Sequence, residues 1–218
     1  DPTTEDVRTH YCALKAYCER AVEEAMPGRV TQIRPGLIVG PRDGTDRFTY
    51  WPVRIDQGGE VLAPGKPSDL TQYIDVRDLA RFMVHCLEQE LTDTYNVVRN
   101  PMPFGDLLST CVDTIESDAE LTWVPADFLA EHDIQAWRDV PAWADSDSAL
   151  AGSLTWSADK ALSAGLTISP VEDTIRDTLA WFRSLPDERQ AELRAGMSRD
   201  KEASVLEAWH SSRRPQGS

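Results

Sequence analysis

Tyr11 and Lys15 are residues of this 218-residue chain whose types and spacing could do chemistry. Val7, Tyr11, Leu14, Cys18, Val22 and Met26 recur at intervals of three and four, so a helix is expected over residues 6–26. A spacing of four sets the phenol and the ammonium on one helix face, a turn apart. A cation beside a phenol favours its ionised form, which would make Tyr11 a general acid/base and Lys15 its tuner. The pattern Y-x-x-x-K is short, and alone it also describes an ordinary amphipathic helix. Lysine is scarce here: only Lys15, Lys66, Lys160 and Lys201 stand among 22 basic residues, which gives Lys15 added weight.

The elements around this pair can be read from punctuation and period. Pro27-Gly28 stops the helix, residues 30–34 read as a short buried strand, and Pro35-Gly36 turns into a loop. Gln72-Tyr73-Ile74 is extended, and Asp75 is placed as N-cap of a helix over 76–89. Arg77 and Asp78 lie in its first turn, where capping and local ion pairing are their expected roles. Further strands are expected over 60–65, 94–98 and 120–124. Helices are expected over 47–55, 103–115, 127–131, 157–164, 170–183, 187–195 and 199–209.

Three segments taken together carry a resemblance. They are Tyr11-Cys12-Ala13-Leu14-Lys15 on a helix, the strand running into Arg34-Pro35-Gly36-Leu37-Ile38-Val39-Gly40-Pro41, and Gln72-Tyr73-Ile74-Asp75-Val76-Arg77-Asp78-Leu79-Ala80 opening a helix. In order and spacing the chain resembles the extended short-chain dehydrogenase/reductase family, the NAD-dependent epimerase/dehydratase group, over roughly residues 1–183. The resemblance implies an α/β fold: the C-terminal part of a Rossmann-type doubly wound fold plus a small α/β substrate-binding domain. Residues 1–41 would be the remnant of the dinucleotide-binding domain. Residues 42–185 would be a substrate-binding region interleaved with the last Rossmann elements, and 186–218 a charged helical tail with a disordered end from 211. The glycine-rich fingerprint and the catalytic Ser or Thr of that family find no match here. Thr3, Thr4 and Thr9 precede Tyr11 but look like a helix entrance, so the chain is expected to be the C-terminal portion of a larger enzyme.

The resemblance implies hydride transfer with NAD or NADP on a small carbonyl or alcohol: reduction, epimerisation or dehydration. Tyr11 would move the proton, Lys15 would hold the nicotinamide ribose, and Pro35, Gly36, Leu37 and Ile38 would abut the nicotinamide, the glycine permitting close approach. Arg47, Tyr50 and Trp51 would face a planar or anionic substrate, or else Phe48 and Trp51 are core while Arg47 and Arg54 are solvated. A homodimer through the Tyr-Lys helix is also implied. The alternative is a dinucleotide-sensing or scaffold protein of the same superfamily.

Composition narrows the partners. A net charge of −15 argues against nucleic acid or an anionic membrane, and no apolar run approaches a membrane span, so a cytoplasmic enzyme is expected. Cys12, Cys18, Cys86 and Cys111 form no C-x-x-C pair, so buried reduced thiols are expected, and the four histidines lack metal-ligand spacing. Trp137 and Trp156 read as tethers in an irregular stretch, with Trp143 open between tether and pocket wall. Leu193, Val205, Leu206 and Trp209 could dock the tail onto the body.

Overall fold

A computed structural model describes residues 6–213 and places them in an α/β fold of paired strands. β1 (Gln32–Pro35) runs parallel to β6 (Thr94–Val97), and β2 (Leu37–Val39) parallel to β5 (Tyr73–Asp75). β3 (Glu60–Pro64) runs parallel to β8 (Glu120–Val124), while β4 (Leu70–Thr71) meets β7 (Met102–Pro103) antiparallel. A parallel pair cannot be closed by a tight turn, so each joins segments far apart in sequence and the crossovers carry helices. α2 (Tyr50–Asp56) lies in the β2–β5 crossover and α3 (Val76–Glu88) in the β1–β6 crossover. The fold class is the one expected. The segment after Pro35-Gly36 differs: Leu37–Val39 is a strand rather than a loop, because β5 offers a parallel edge with Ile38 opposite Ile74.

Gly36 has a packing reason inside the chain. A Cβ there would sit 2.6 Å from Val98 Cγ1, so the glycine lets β2 pass the exit of β6, a reason that holds with or without a bound ring. Gly36→Ala is expected to cost about 1–3 kcal/mol, and Val98→Ala added to it should recover much of that. Urea unfolding of the single and double variants checks the compensation.

The main core gathers Phe48, Trp51, Ile55, Leu62, Phe104, Leu107, Leu108 and Ile175, with Met197, Val205 and Leu206 contributed by the tail. Leu193 and Trp209 pack against it. A second cluster holds α3 to β6 and α6 (Asp159–Ser163) through Leu79, Phe82, Cys86, Tyr95 and Ala161. Asp75 caps α3 by accepting the Arg77 amide at 2.8 Å, and it also accepts the Arg77 guanidinium and the Thr174 hydroxyl. Burial pushes the Asp75 carboxyl up, but the donors from Arg77 and Thr174 outweigh it and hold it below the ordinary aspartate value.

Four further expectations meet corrections. The helix expected over 187–195 is α8 (Asp187–Gln190), after which the chain turns so that Arg194 can reach the 43–49 loop. Ser211 and Ser212 belong to α9 (Arg199–Ser212) rather than to a disordered end, and residues 214–218 lie outside the described residues. Cys86 and Cys111 are buried thiols as expected, whereas Cys12 and Cys18 are exposed. Arg54 is not solvated: it is 2% exposed and bonded to Glu202.

Candidate functional site

α1 (Val7–Ala25) carries Tyr11 and Lys15. Asp6 caps it by accepting the Thr9 amide at 3.2 Å, and the backbone leaves helical geometry at His10 (φ −112, ψ 16), immediately before Tyr11. Thr3 and Thr4 lie outside the described residues. Tyr11 is 58% exposed and Lys15 is exposed as well, so the pair faces outward a turn apart.

What orients this helix is a clamp from β1. Arg34 donates to both Glu19 oxygens, from Nε at 2.8 Å and from a terminal nitrogen at 2.5 Å, and Gln32 Nε2 donates to the Glu19 carbonyl at 3.3 Å. The Arg34 hydrogen bonds hold the Glu19 carboxyl below the ordinary glutamate value, with Lys15 adding a smaller pull in the same direction. Glu19 therefore sits between strand and Lys15, one turn along the helix. The Glu23 carboxylate then accepts the Gly28 amide at 3.0 Å where α1 ends.

The clamp ties α1 to β1, which runs through Pro35 and Gly36 into Leu37 and Ile38. Pro35 and Gly36 are exposed, Leu37 is buried, and Ile38 is 39% exposed. The first two predicted groups thus lie on neighbouring elements joined by one ion pair.

Arg47, Tyr50 and Trp51 do not join them. Trp51 is 0% exposed, donates its Nε1–H to the Pro141 carbonyl at 2.7 Å and stands edge-on to Phe104 with ring centres 5.2 Å apart. Tyr50 is 2% exposed and lies so close over Gly196 that a Cβ there would be 2.0 Å from the ring. Burial pushes the Tyr50 phenol well above its ordinary value. Both side chains are core, Trp51 with no exposed surface and Tyr50 with almost none, which corrects their assignment to substrate. Arg47 is half-buried and donates to Thr45 Oγ1 at 3.1 Å.

The loop holding Arg47 is fixed by a residue that sequence reasoning missed. Asp46 is fully buried at φ 57, and its carboxylate accepts Arg189 at 2.7 and 2.6 Å and the Arg194 amide at 2.8 Å. No local pattern announces a partner more than 140 residues away. Trp143 resolves as a tether, its Nε1–H donating to buried Asp69 at 2.9 Å. Trp156 is tied by its backbone to the Gln72 side chain, with its ring 45% exposed.

Two clefts, of about 300 and 480 Å³, lie along residues 23–32 and 92–94 and along α9, and neither is lined by Tyr11 or Lys15. Among the described residues no group of His, Cys, Asp and Glu is arranged to hold a metal, and no helix is long and apolar enough to cross a membrane.

Comparisons with known proteins give the site its context. Residues 1–98 match the model of the NAD dependent epimerase/dehydratase family, the segment that holds Tyr11, Lys15 and residues 35–38. A search of curated proteins finds no match. Solved structures match at low identity. RMD from Pseudomonas aeruginosa complexed with NADPH is 16% identical, with a TM-score of 0.54 over 80% of this chain and 54% of that one. UDP-glucose 4-epimerase from Thermus thermophilus in complex with NAD is 18% identical, with a TM-score of 0.54 over 80% and 52%. UDP-glucuronic acid 4-epimerase from Bacillus cereus, in complex with UDP-glucuronic acid and NAD, is 15% identical, with a TM-score of 0.54 over 78% and 50%. These likenesses show the fold, and the chain spans about half the length of the solved structures it matches.

Proposed function

We propose that a chain whose residues 1–98 match the NAD dependent epimerase/dehydratase family serves an NAD- or NADP-dependent oxidoreductase or epimerase acting on a small carbonyl or alcohol. The observation that carries this reading is the outward-facing Tyr11–Lys15 pair on a helix clamped to β1 by Glu19 and Arg34. Tyr11 moves the proton at the substrate oxygen, as donor in one direction and acceptor in the other. Lys15 presents donors suited to ribose hydroxyls, and its charge favours the phenolate that the proton transfer creates. The nicotinamide, when bound, gives or takes the hydride. Exposed Ile38 at the end of the 35–38 segment suits the flat apolar ring, and the exposed phenol and ammonium suit the polar part of the same molecule.

The three segments 1–41, 42–185 and 186–218 divide these tasks between cofactor, substrate and a docking tail. α1 also leaves Val7, Tyr17, Val22 and Met26 exposed, which suits a helix-to-helix homodimer through the Tyr-Lys helix.

Calorimetry with NAD and NADP tests the reading, on the 218-residue chain and on a form carrying any reading frame that precedes it. Cofactor binding is expected in the extended form. Tyr11→Phe should then leave binding intact while lowering turnover of a panel of nucleotide sugars and small ketones by about 10²–10⁴-fold. Binding without any effect of Tyr11→Phe would point instead to a dinucleotide sensor, and no binding by either form would overturn both readings.

A further inference from the structure

The helix that follows the Asp75 cap has two apolar faces. One is the core face, Leu79, Phe82 and Cys86. The other consists of Ala80, Met83, Val84 and Leu87, all exposed, at the i, i+3, i+4, i+7 spacing of a contact stripe. Leu87 at 78% is the most exposed large hydrophobic side chain among the described residues, with Val84 at 54% and Met83 at 48% beside it. Single exposed apolar residues are ordinary, but four aligned on the outer face of one helix form a patch that water covers at a cost.

The charges flanking the stripe say what fits it. Arg77 and Arg81 lie toward the N-terminal end, their side chains 37% and 54% exposed even while bonded to Asp75, Asp177 and Asp78. Glu88 and Glu90 are exposed at the C-terminal end, where the dipole of their own helix disfavours carboxylates. The arrangement is unfavourable within one helix and favourable across two antiparallel ones. A two-fold axis between Met83 and Val84 sets Ala80 of one copy against Leu87 of the other, small against large. It brings Arg77 and Arg81 of each copy to the end that carries Glu88 and Glu90 of the other.

We infer that the outer face of α3 is a self-association surface, a second copy of this chain docking on it antiparallel about that axis. It is distinct from the α1 face. Four side chains per copy fall at the low end of specific interfaces, under about 1,200 Å² in total, so a weak, concentration-dependent association is expected.

Sedimentation velocity on the 218-residue chain, from about 5 to 500 µM, should show a concentration-dependent self-association component separate from any dimer made through α1. Leu87→Asp should weaken it more than about tenfold, while Val22→Asp on α1 leaves that component in place. A trapping experiment fixes the register. In a Cys12→Ser/Cys18→Ser background, Val84→Cys should cross-link into a disulfide dimer under mild oxidation, and Leu87→Asp added to it should abolish the cross-link. A monomer throughout the range would overturn the inference. So would self-association lost with Val22→Asp but kept with Leu87→Asp, or a cross-link no faster than that of Glu207→Cys on α9.

Discussion

Arg54→Met is expected to destabilise the protein by about 3–5 kcal/mol, while Arg54→Met combined with Glu202→Leu should return most of that loss. Both side chains of the pair are only 3% exposed. Arg54 donates from Nε to Glu202 at 2.7 Å, and from its two terminal nitrogens to the Gly58 carbonyl at 3.1 Å and to the Glu60 carbonyl. Glu202 in turn accepts the Leu62 amide at 2.9 Å and Arg199 at 2.8 Å. Removing one partner strands a charge in the core, whereas removing both replaces it with apolar volume, so the cycle separates pairing from packing. Urea unfolding of the two single variants and the double checks it, and equal losses in all three would show that charge pairing is not the cause.

The same pair sets a pH signature. Burial raises the Glu202 carboxyl above the ordinary value of 4.5, and the Leu62 amide and Arg54 pull it back only in part. A group whose folded value is raised contributes fully below its unfolded value and loses that contribution as pH rises through the folded one. Asp75 and Asp139, held below 3.8, act in the opposite sense: their contribution is present above 3.8 and is lost as pH falls through their folded values. Glu202→Gln should therefore make stability rise more steeply with pH above 4.5 than it does in the unsubstituted chain.

Trp51→Ala carries the second large effect. Truncating a fully buried indole costs about 3–5 kcal/mol, and the Pro141 carbonyl loses its 2.7 Å donor in addition. For a chain of this size that lowers Tm by about 6–20 °C. Trp51→Phe keeps the ring against Phe104 and should lose much less. Thermal unfolding followed by circular dichroism decides the matter: an unchanged Tm for Trp51→Ala would remove Trp51 from the core and return it to the substrate region.

Trp51 also shows where sequence reasoning stops. A helix with one buried face has a period, and α3 was legible because Leu79, Phe82 and Cys86 repeat behind a capping aspartate. Residues 50–55 of α2 are buried all round, so their aromatics could stand for core or for pocket with no pattern to separate the two. β8 was legible to the residue because Glu120–Val124 is short, bounded and rich in strand formers. β2 was not, since three residues after Pro35-Gly36 become a strand only when β5 arrives beside them. Arg54 looked solvated for a similar reason: the carboxylate that makes its burial tolerable lies 148 residues away. For the candidate site, the spacing of four placed Tyr11 and Lys15 on one face of a helix that the fold contains, while their choice as a pair rested on the two segments that follow them. The Glu19–Arg34 clamp that aims their helix pairs a helix residue with a strand residue, and only the folded chain brings those together.

The reach of Glu202 has a consequence in time. A chain is made from its N-terminus, and domains assemble as their parts emerge. β3 and α2 are synthesised before α9, yet the buried Arg54 guanidinium and the Leu62 amide receive their carboxylate only from that later helix. Until α9 has left the ribosome, an arginine destined for the interior has no anion to neutralise it. Residues 54–62 therefore complete their buried polar contacts only once Glu202 has arrived, and a chain interrupted before residue 202 is expected to leave that part of the core open to chaperones and proteases.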